Sequence, residues 1–272
     1  MKILNYNAYS GKNVYFQSCG RTYKAAETMS REIFDMEDIY TKTGLFREHI
    51  AWADFIDYVI PHFKNKSKVN IYSLGSSDGS EGYSYAIILA HRGVLDKYSI
   101  IGCDIDSEVI NVAQSGIINL DNDDFTAMFK ALEITNISKE IKNKFFKKIG
   151  EPIKINNDKF NSNIFHDPIY NPLYAYAPRE EIRKSVRFYE SDILSETNRI
   201  HDEGNTIINT CHILGYCNKD YVAKVLNNIG KNLKSGSLYV YDKTNNNPAF
   251  RKKLEDLGFF FPLKNMPVAE KI

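Results

Sequence analysis

Residues 69–85, Val-Asn-Ile-Tyr-Ser-Leu-Gly-Ser-Ser-Asp-Gly-Ser-Glu-Gly-Tyr-Ser-Tyr, leave this chain few folds to choose from. The run Val69–Leu74 is β-prone and breaks at Gly75 into small and polar residues, and an apolar helical stretch follows from Tyr83 to Ala90. Strand, glycine-rich turn and helix in that order form a ligand-facing junction of an open parallel sheet. Glycine lacks the Cβ that would hold a ligand off, so backbone N–H groups and a helix N-terminus can approach it closely. Gly75, Ser77 and Gly79 are therefore expected at a binding site. A second apolar run, Tyr98–Cys103, ends in Asp104, about 25 residues beyond Gly79, near the spacing at which a βαβ unit offers a carboxylate to ribose hydroxyls.

At 272 residues the chain can build one large α/β domain, or a domain with a small appendage. A content of 43% hydrophobic and 25% charged residues argues against a disordered chain, and a net charge of +1 gives no reason to expect nucleic acid or an anionic membrane as partner. No apolar run approaches the ~20 residues of a membrane span, and Met1-Lys-Ile-Leu-Asn lacks a signal peptide's long apolar core, so a cytoplasmic location is expected. Cys19, Cys103, Cys211 and Cys217 form no C-x-x-C pair, which leaves reduced thiols and no metal site as the expectation.

Taken in order, residues 1–20 read as a polar arm. A first helix is expected over Arg21–Tyr40, with Ala25, Met29, Ile33, Met36 and Ile39 on one face, and a second from Leu45, stopping near Pro61. Residues 1–62 thus form an arm and helices packing on a core of residues 63–272. Ser107 is expected to cap a helix through Gln114. An insertion spans about 119–185, with helices over Asp124–Leu132 and Ser138–Lys148 and a loop containing Pro168, Pro172 and Pro178. Regular order resumes with strands at Val186–Glu190, Asn205–Cys211 and Ser237–Asp242, helices at Lys219–Leu233 and Pro248–Leu257, a phenylalanine-rich strand after Gly258, and Val268–Ile272.

Four stretches, in order, resemble the CheR-type chemotaxis receptor methyltransferases, which transfer methyl from S-adenosylmethionine (SAM) to protein glutamates and release S-adenosylhomocysteine. Thr43-Gly-Leu-Phe-Arg-Glu resembles T-x-F-F-R-E, and Ser77-Asp-Gly-Ser-Glu-Gly-Tyr-Ser resembles S-T-G-E-E-P-Y-S. Asp104-Ile-Asp106 with Val109-Ile and Ala113-Gln-Ser-Gly resembles D-I-D-x-x-V-L-x-x-A-x-x-G, while Val186-Arg-Phe and Asp192-Ile-Leu resemble V-x-F and N-L-L. The resemblance implies a class I (Rossmann-like) SAM-dependent methyltransferase fold, α/β with a seven-stranded sheet and N-terminal helices. It implies Thr43, Arg47, Gly75, Ser77, Gly79, Glu81, Asp104, Ile105 and Cys211 on the cofactor side, with Asp192 and Ile193 near the adenine. It also implies a protein substrate, of which the chemoreceptors are the family's example. Where the family reads C-R-N-V-x-I-Y-F, this chain reads Thr210-Cys-His-Ile-Leu-Gly-Tyr-Cys217, so Cys211 replaces the arginine, His212 replaces the asparagine, and Tyr216 is retained. Arg47, Tyr216 and His212 are the candidate catalytic residues.

Other readings compete. The acceptor can be another protein group or a small molecule, and a SAM-binding protein without turnover fits the altered Thr210–Cys217 stretch. Gly75-Ser-Ser-Asp-Gly79 also spells G-x-S-x-G, the nucleophile elbow of an α/β-hydrolase, with Ser77 as nucleophile.

Overall fold

Seven strands build the main sheet: β1 Val69–Leu74, β2 Tyr98–Asp104, β3 Val186–Glu190, β4 Thr206–Asn209, β5 Leu238–Val240, β6 Phe259–Phe260 and β7 Val268–Lys271. The computed structural model describes residues 21–24, 40–48, 50–135, 138–152, 174–263 and 266–272. The spatial order is β6-β7-β5-β4-β1-β2-β3. From β3 to β5 neighbouring strands run parallel, with Val69 opposite Tyr98, Ile100 opposite Val186, Asn70 opposite Thr206 and Leu238 opposite Ile207. β7 is antiparallel to both β5 and β6. This order, with its reversed hairpin at one end, gives the seven-stranded α/β sheet that the resemblance implied. The chain builds outward from β1 to β3, then returns to the other side of β1 at β4. That reversal opens a crevice beyond the carboxyl ends of β1 and β4, where ligands of doubly wound sheets bind.

Period-2 alternation in the strands feeds two cores, one on each face of the sheet. Ile71, Ile207, Leu238 and Val240 belong to one, with Tyr85, Ile88 and Phe55; Leu74, Ile208 and Tyr239 belong to the other, with Val225, Ile229 and Leu254. Both faces are covered, which is why these strands read as continuous apolar runs in the sequence. Each fully buried aliphatic side chain stabilises by roughly 1.5–3 kcal/mol.

Several expectations need correcting. Arg21–Lys24 is not the start of a helix but a strand, paired antiparallel with Tyr40–Thr43; residues 25–39, on which the rest of that expected helix fell, lie outside the described residues, as do residues 1–20, Pro168 and Pro172. The second helix begins at Trp52 rather than Leu45. Leu45 N–H is taken by Asp124 Oδ1 at 2.8 Å and Phe46 N–H by Ser84 Oγ at 2.8 Å, and Phe46 adopts φ 52°, so the segment is pinned as a turn. The helix stops at His62, beside Pro61 as expected. Before Pro61 it contains a π-type turn, Phe55–Val59, in which Ile60 N–H bonds Phe55 O. The helix Ser107–Ser115 is capped by Asp106, whose carboxylate accepts Glu108 N–H at 2.9 Å, not by Ser107. The lysine-rich helix stops at Phe145, and Phe146–Pro152 continues as a strand. With Ile118–Leu120 and Tyr174–Pro178 it forms a small antiparallel sheet between β2 and β3, Tyr174–Pro178 being central. Among the described residues no helix is long and apolar enough to cross a membrane.

Candidate functional site

β1 ends at Leu74, and the next turn is fixed by the neighbouring strand: Gly75 and Ser76 N–H both donate to Cys103 O at 2.8 Å. Three residues of this turn take left-handed backbone, Gly75 (φ 77°), Ser77 (φ 48°) and Gly79 (φ 83°). The glycines have a reason beyond ligand access. A Cβ on Gly79 would sit 2.6 Å from Phe188 Cζ, and one on Gly75 would sit 2.9 Å from Ile213 Cβ, so both positions are demanded by packing. The twelve-residue helix Ser80–His91 starts directly from Gly79.

Asp104 closes the turn from the other side. Its Oδ2 accepts Ser77 N–H at 2.9 Å and its Oδ1 accepts Asp106 N–H at 3.1 Å. The residue is 4% exposed, and burial pushes its pKa up to about 6, against the opposing backbone donors at Asp106 and Ser77. With Ile105 N–H as a third backbone donor, the carboxylate still retains acceptor capacity. Gly75, Asp104 and Ile105 line a solvent-open cleft together with Asp192, Ile193, Ile213, Cys217 and Tyr221. Apolar walls from three isoleucines with two carboxylates facing in suit a nucleoside, whose ring needs apolar contact and whose edges carry donors.

The far wall is made by two helix starts. Asp192 caps Ile193–Arg199 and accepts Ser195 N–H at 3.1 Å; Asn218 caps Lys219–Asn232 and accepts Tyr221 N–H at 2.8 Å. Tyr221 joins them, its hydroxyl donating to Asp192 Oδ1 and accepting Leu194 N–H at 3.2 Å.

A second cluster lies at the carboxyl ends of β1 and β4. Ser73 Oγ and Asn209 Nδ2 each donate to Glu81 Oε1 at 2.5 Å. Burial pushes the Glu81 pKa up to about 7, while Ser73, Arg47 and Asn209 pull the other way. Cys211 is buried in the same neighbourhood; desolvation first, then the charges of Glu81 and Asp242, hold its thiol well above the usual range, so it is not a thiolate nucleophile. Arg47 stands in the pinned turn, before the helix, where its carbonyl accepts Trp52 Nε1–H at 2.9 Å. Thr43 Oγ1 donates to Asp78 Oδ1 at 3.1 Å, tying this turn to the glycine-rich one. His212 takes φ 66°, and its Nδ1 lies 3.3 Å from Asp242 Oδ2, both side chains nearly buried at 9% and 3% exposure. Tyr216 packs at the margin of the core that contains Leu214, Cys217 and Tyr221.

Of the residues singled out in the sequence, the cleft gathers Gly75, Asp104, Ile105, Asp192 and Ile193, and electrostatics group Arg47, Glu81 and Cys211. Ser77 and Gly79 serve the turn. Ser77 is no hydrolase nucleophile: it is 3% exposed, and its Oγ has no hydrogen-bond partner, hence no histidine base, among the described residues. Sequence reasoning missed Ser73, Asn209, Ile213, Tyr221 and Asp242. Asp242 carried a signal, as the acid closing the expected strand Ser237–Asp242, whereas Asn209 closes its strand, Thr206–Asn209, only in the structure.

Residues 41–167 match the family model described as CheR methyltransferase, SAM binding domain. Among solved structures, the chain is similar to a TehB-like SAM-dependent methyltransferase from Corynebacterium glutamicum, at 12% identity over 82% of this chain and 88% of that one, with a TM-score of 0.41. It is also similar to the magnesium protoporphyrin IX methyltransferase of Synechocystis with bound SAH, at 11% identity over 79% and 78% of the two chains, with a TM-score of 0.38. The residues fit a SAM-type cofactor. Asp104 keeps acceptor capacity for ribose hydroxyls, the isoleucine walls suit a purine, and the buried hydroxyls of Ser76 and Ser77 in the turn lack partners among the described residues.

Proposed function

We propose that this chain, a SAM-dependent methyltransferase with a CheR-like cofactor domain, methylates a glutamate carboxylate on a protein partner in the cytoplasm, a chemoreceptor being the family's example. SAM, when bound, supplies a methyl group on sulfonium sulfur and leaves as S-adenosylhomocysteine. The methyl carbon's bond to sulfur breaks as its bond to a carboxylate oxygen forms. No proton leaves the acceptor, whose pKa of roughly 4.3 keeps it ionised at neutral pH.

The chain's own residues therefore have to bind and orient. Asp104 holds the ribose end, and Asp192 with Ile193 the adenine end. Arg47 supplies a cation beside Glu81, and a guanidinium aligns a carboxylate in a planar fork. Tyr216 offers a phenol donor on the turn after β4. Alignment of this kind is worth on the order of 7–11 kcal/mol of a two-body barrier. The observation that supports the reading best is the cluster of Arg47, Glu81 and Asn209 at the reversal of strand order: it offers charge and donors for orientation, while Cys211 nearby is no nucleophile.

Label transfer from methyl-labelled SAM to partner protein tests this. Methyl esters release methanol in mild base and N-methyl groups do not, so base-labile label is expected. Base-stable label would overturn the carboxylate acceptor and favour an amine or a small molecule.

A further inference from the structure

We propose that Tyr221 is a positioning residue that sets which purine the cofactor cleft accepts, by holding Asp192 so that it reads an exocyclic amine. The proposal rests on the nucleoside-cleft reading above.

Asp192 has about four acceptor sites on its carboxylate. Ser195 uses two on Oδ2, through N–H at 3.1 Å and Oγ–H at 3.3 Å, and Tyr221 O–H uses one on Oδ1. One site on Oδ1 remains, and Asp192 lines the cleft. Tyr221 is itself held at both ends. Its backbone N–H is taken by the Asn218 cap, and its oxygen accepts Leu194 N–H at 3.2 Å, which leaves its proton directed to Asp192. The residue is 9% exposed and lines the same cleft. With the hydroxyl fixed this way, the carboxylate cannot swing its last acceptor away from the ring bound between the isoleucines.

That last acceptor selects a donor. Adenine presents an amine at position 6, whereas hypoxanthine presents a carbonyl oxygen, and two acceptors facing each other in an apolar cleft leave both unsatisfied. Sites built to receive a donor reject the analogue that lacks it far more strongly than apolar pockets reject a missing methylene. Tyr221 touches neither the amine nor the methyl group; it acts through Asp192.

Calorimetric titration of the full chain with S-adenosylhomocysteine and with its deaminated analogue S-inosylhomocysteine tests this. Wild type is expected to prefer the adenine form by at least about 100-fold. Tyr221→Phe, which removes one oxygen and keeps the ring, is expected to weaken the adenine form about tenfold and leave the inosine form nearly unchanged, so the preference shrinks. Asp192→Asn can turn its amide N–H₂ toward a carbonyl, and is expected to bring the two ligands within about tenfold. Equal weakening of both ligands in Tyr221→Phe, with the preference intact, would make Tyr221 structural only and overturn the proposal. So would equal binding of both ligands by wild type. If wild type bound neither, the cofactor reading beneath it would fall first.

Discussion

Asp104 carries a burial cost that ligand binding has to use. Its pKa of about 6, against an ordinary 3.8, means that ionising it in the folded chain costs about 3 kcal/mol more than in an unfolded one. On the proposed reading ribose hydroxyls donate to the ionised form, so binding should draw the proton off. Below pH 6 that proton competes: at pH 5 roughly nine-tenths of the free protein holds it, and affinity for S-adenosylhomocysteine should be about tenfold weaker than at pH 7. The ligand's own α-carboxyl titrates below this window and its amino group above it. Asp104→Asn removes the charge and turns an N–H₂ toward a backbone donor, Ser77 or Asp106. Loss of charge-assisted bonds, about 1.5–3 kcal/mol, predicts a roughly tenfold to hundredfold weaker complex at pH 7. Between pH 5 and 7 the variant should also be nearly flat, any residual slope belonging to Glu81. Calorimetry across that range decides the matter. Wild-type affinity that does not change from pH 5 to 7, or an asparagine variant with the wild-type slope, would refute the reasoning.

Three further outcomes follow from other residues. Gly79→Ala places a Cβ 2.6 Å from Phe188 at φ 83°, combining left-handed strain with overpacking, and should cost about 2–5 kcal/mol in urea unfolding. Glu81 binds its proton more tightly folded than unfolded, so its contribution to stability falls as pH rises from about 4.5 to 7; Glu81→Gln should therefore stabilise the ligand-free protein by about 1–3 kcal/mol at pH 8 and hardly at all at pH 4, as urea midpoints will show. Since a carboxylate acceptor needs no base, the methylation rate should be nearly flat from about pH 6.5 to 8.5; a steep rise through pH 6–7 that disappears in His212→Gln would make His212, beside Asp242, a proton acceptor and end the base-free mechanism.

The sheet was legible in the sequence because a strand buried on both faces is an uninterrupted apolar run, and β1, β2 and β3 came out within a residue or two of their expected ends. So was the acid at the end of β2, whose position follows from strand, turn and helix lengths. The segment Leu45–Ile50 was not, since its apolar spacing suits a helix. What holds it in a turn is a pair of tertiary acceptors, Asp124 and Ser84, that lie 79 and 38 residues further on. Tyr221 was invisible for the same reason: in sequence it is one aromatic in an amphipathic helix, and only the approach of two helix starts gives its hydroxyl a partner. The glycines were read correctly as a turn, but the neighbours that exclude a Cβ there, Phe188 and Ile213, come from β3 and from the turn after β4.

The reversed hairpin sets the order in which the sheet can be finished during synthesis. β5 is buried along its whole length, yet the strand that covers its outer edge is β7, thirty residues later, with Leu238 opposite Glu270 and Val240 opposite Val268. β6 is made first but has no place in the sheet until β7 arrives between them. A nascent chain halted between Val240 and Val268 therefore presents an apolar strand with unpaired backbone groups, the kind of edge that recruits other chains. The few residues of β7 act as the closure of the sheet, and their loss would be felt first as aggregation on expression rather than as a missing function.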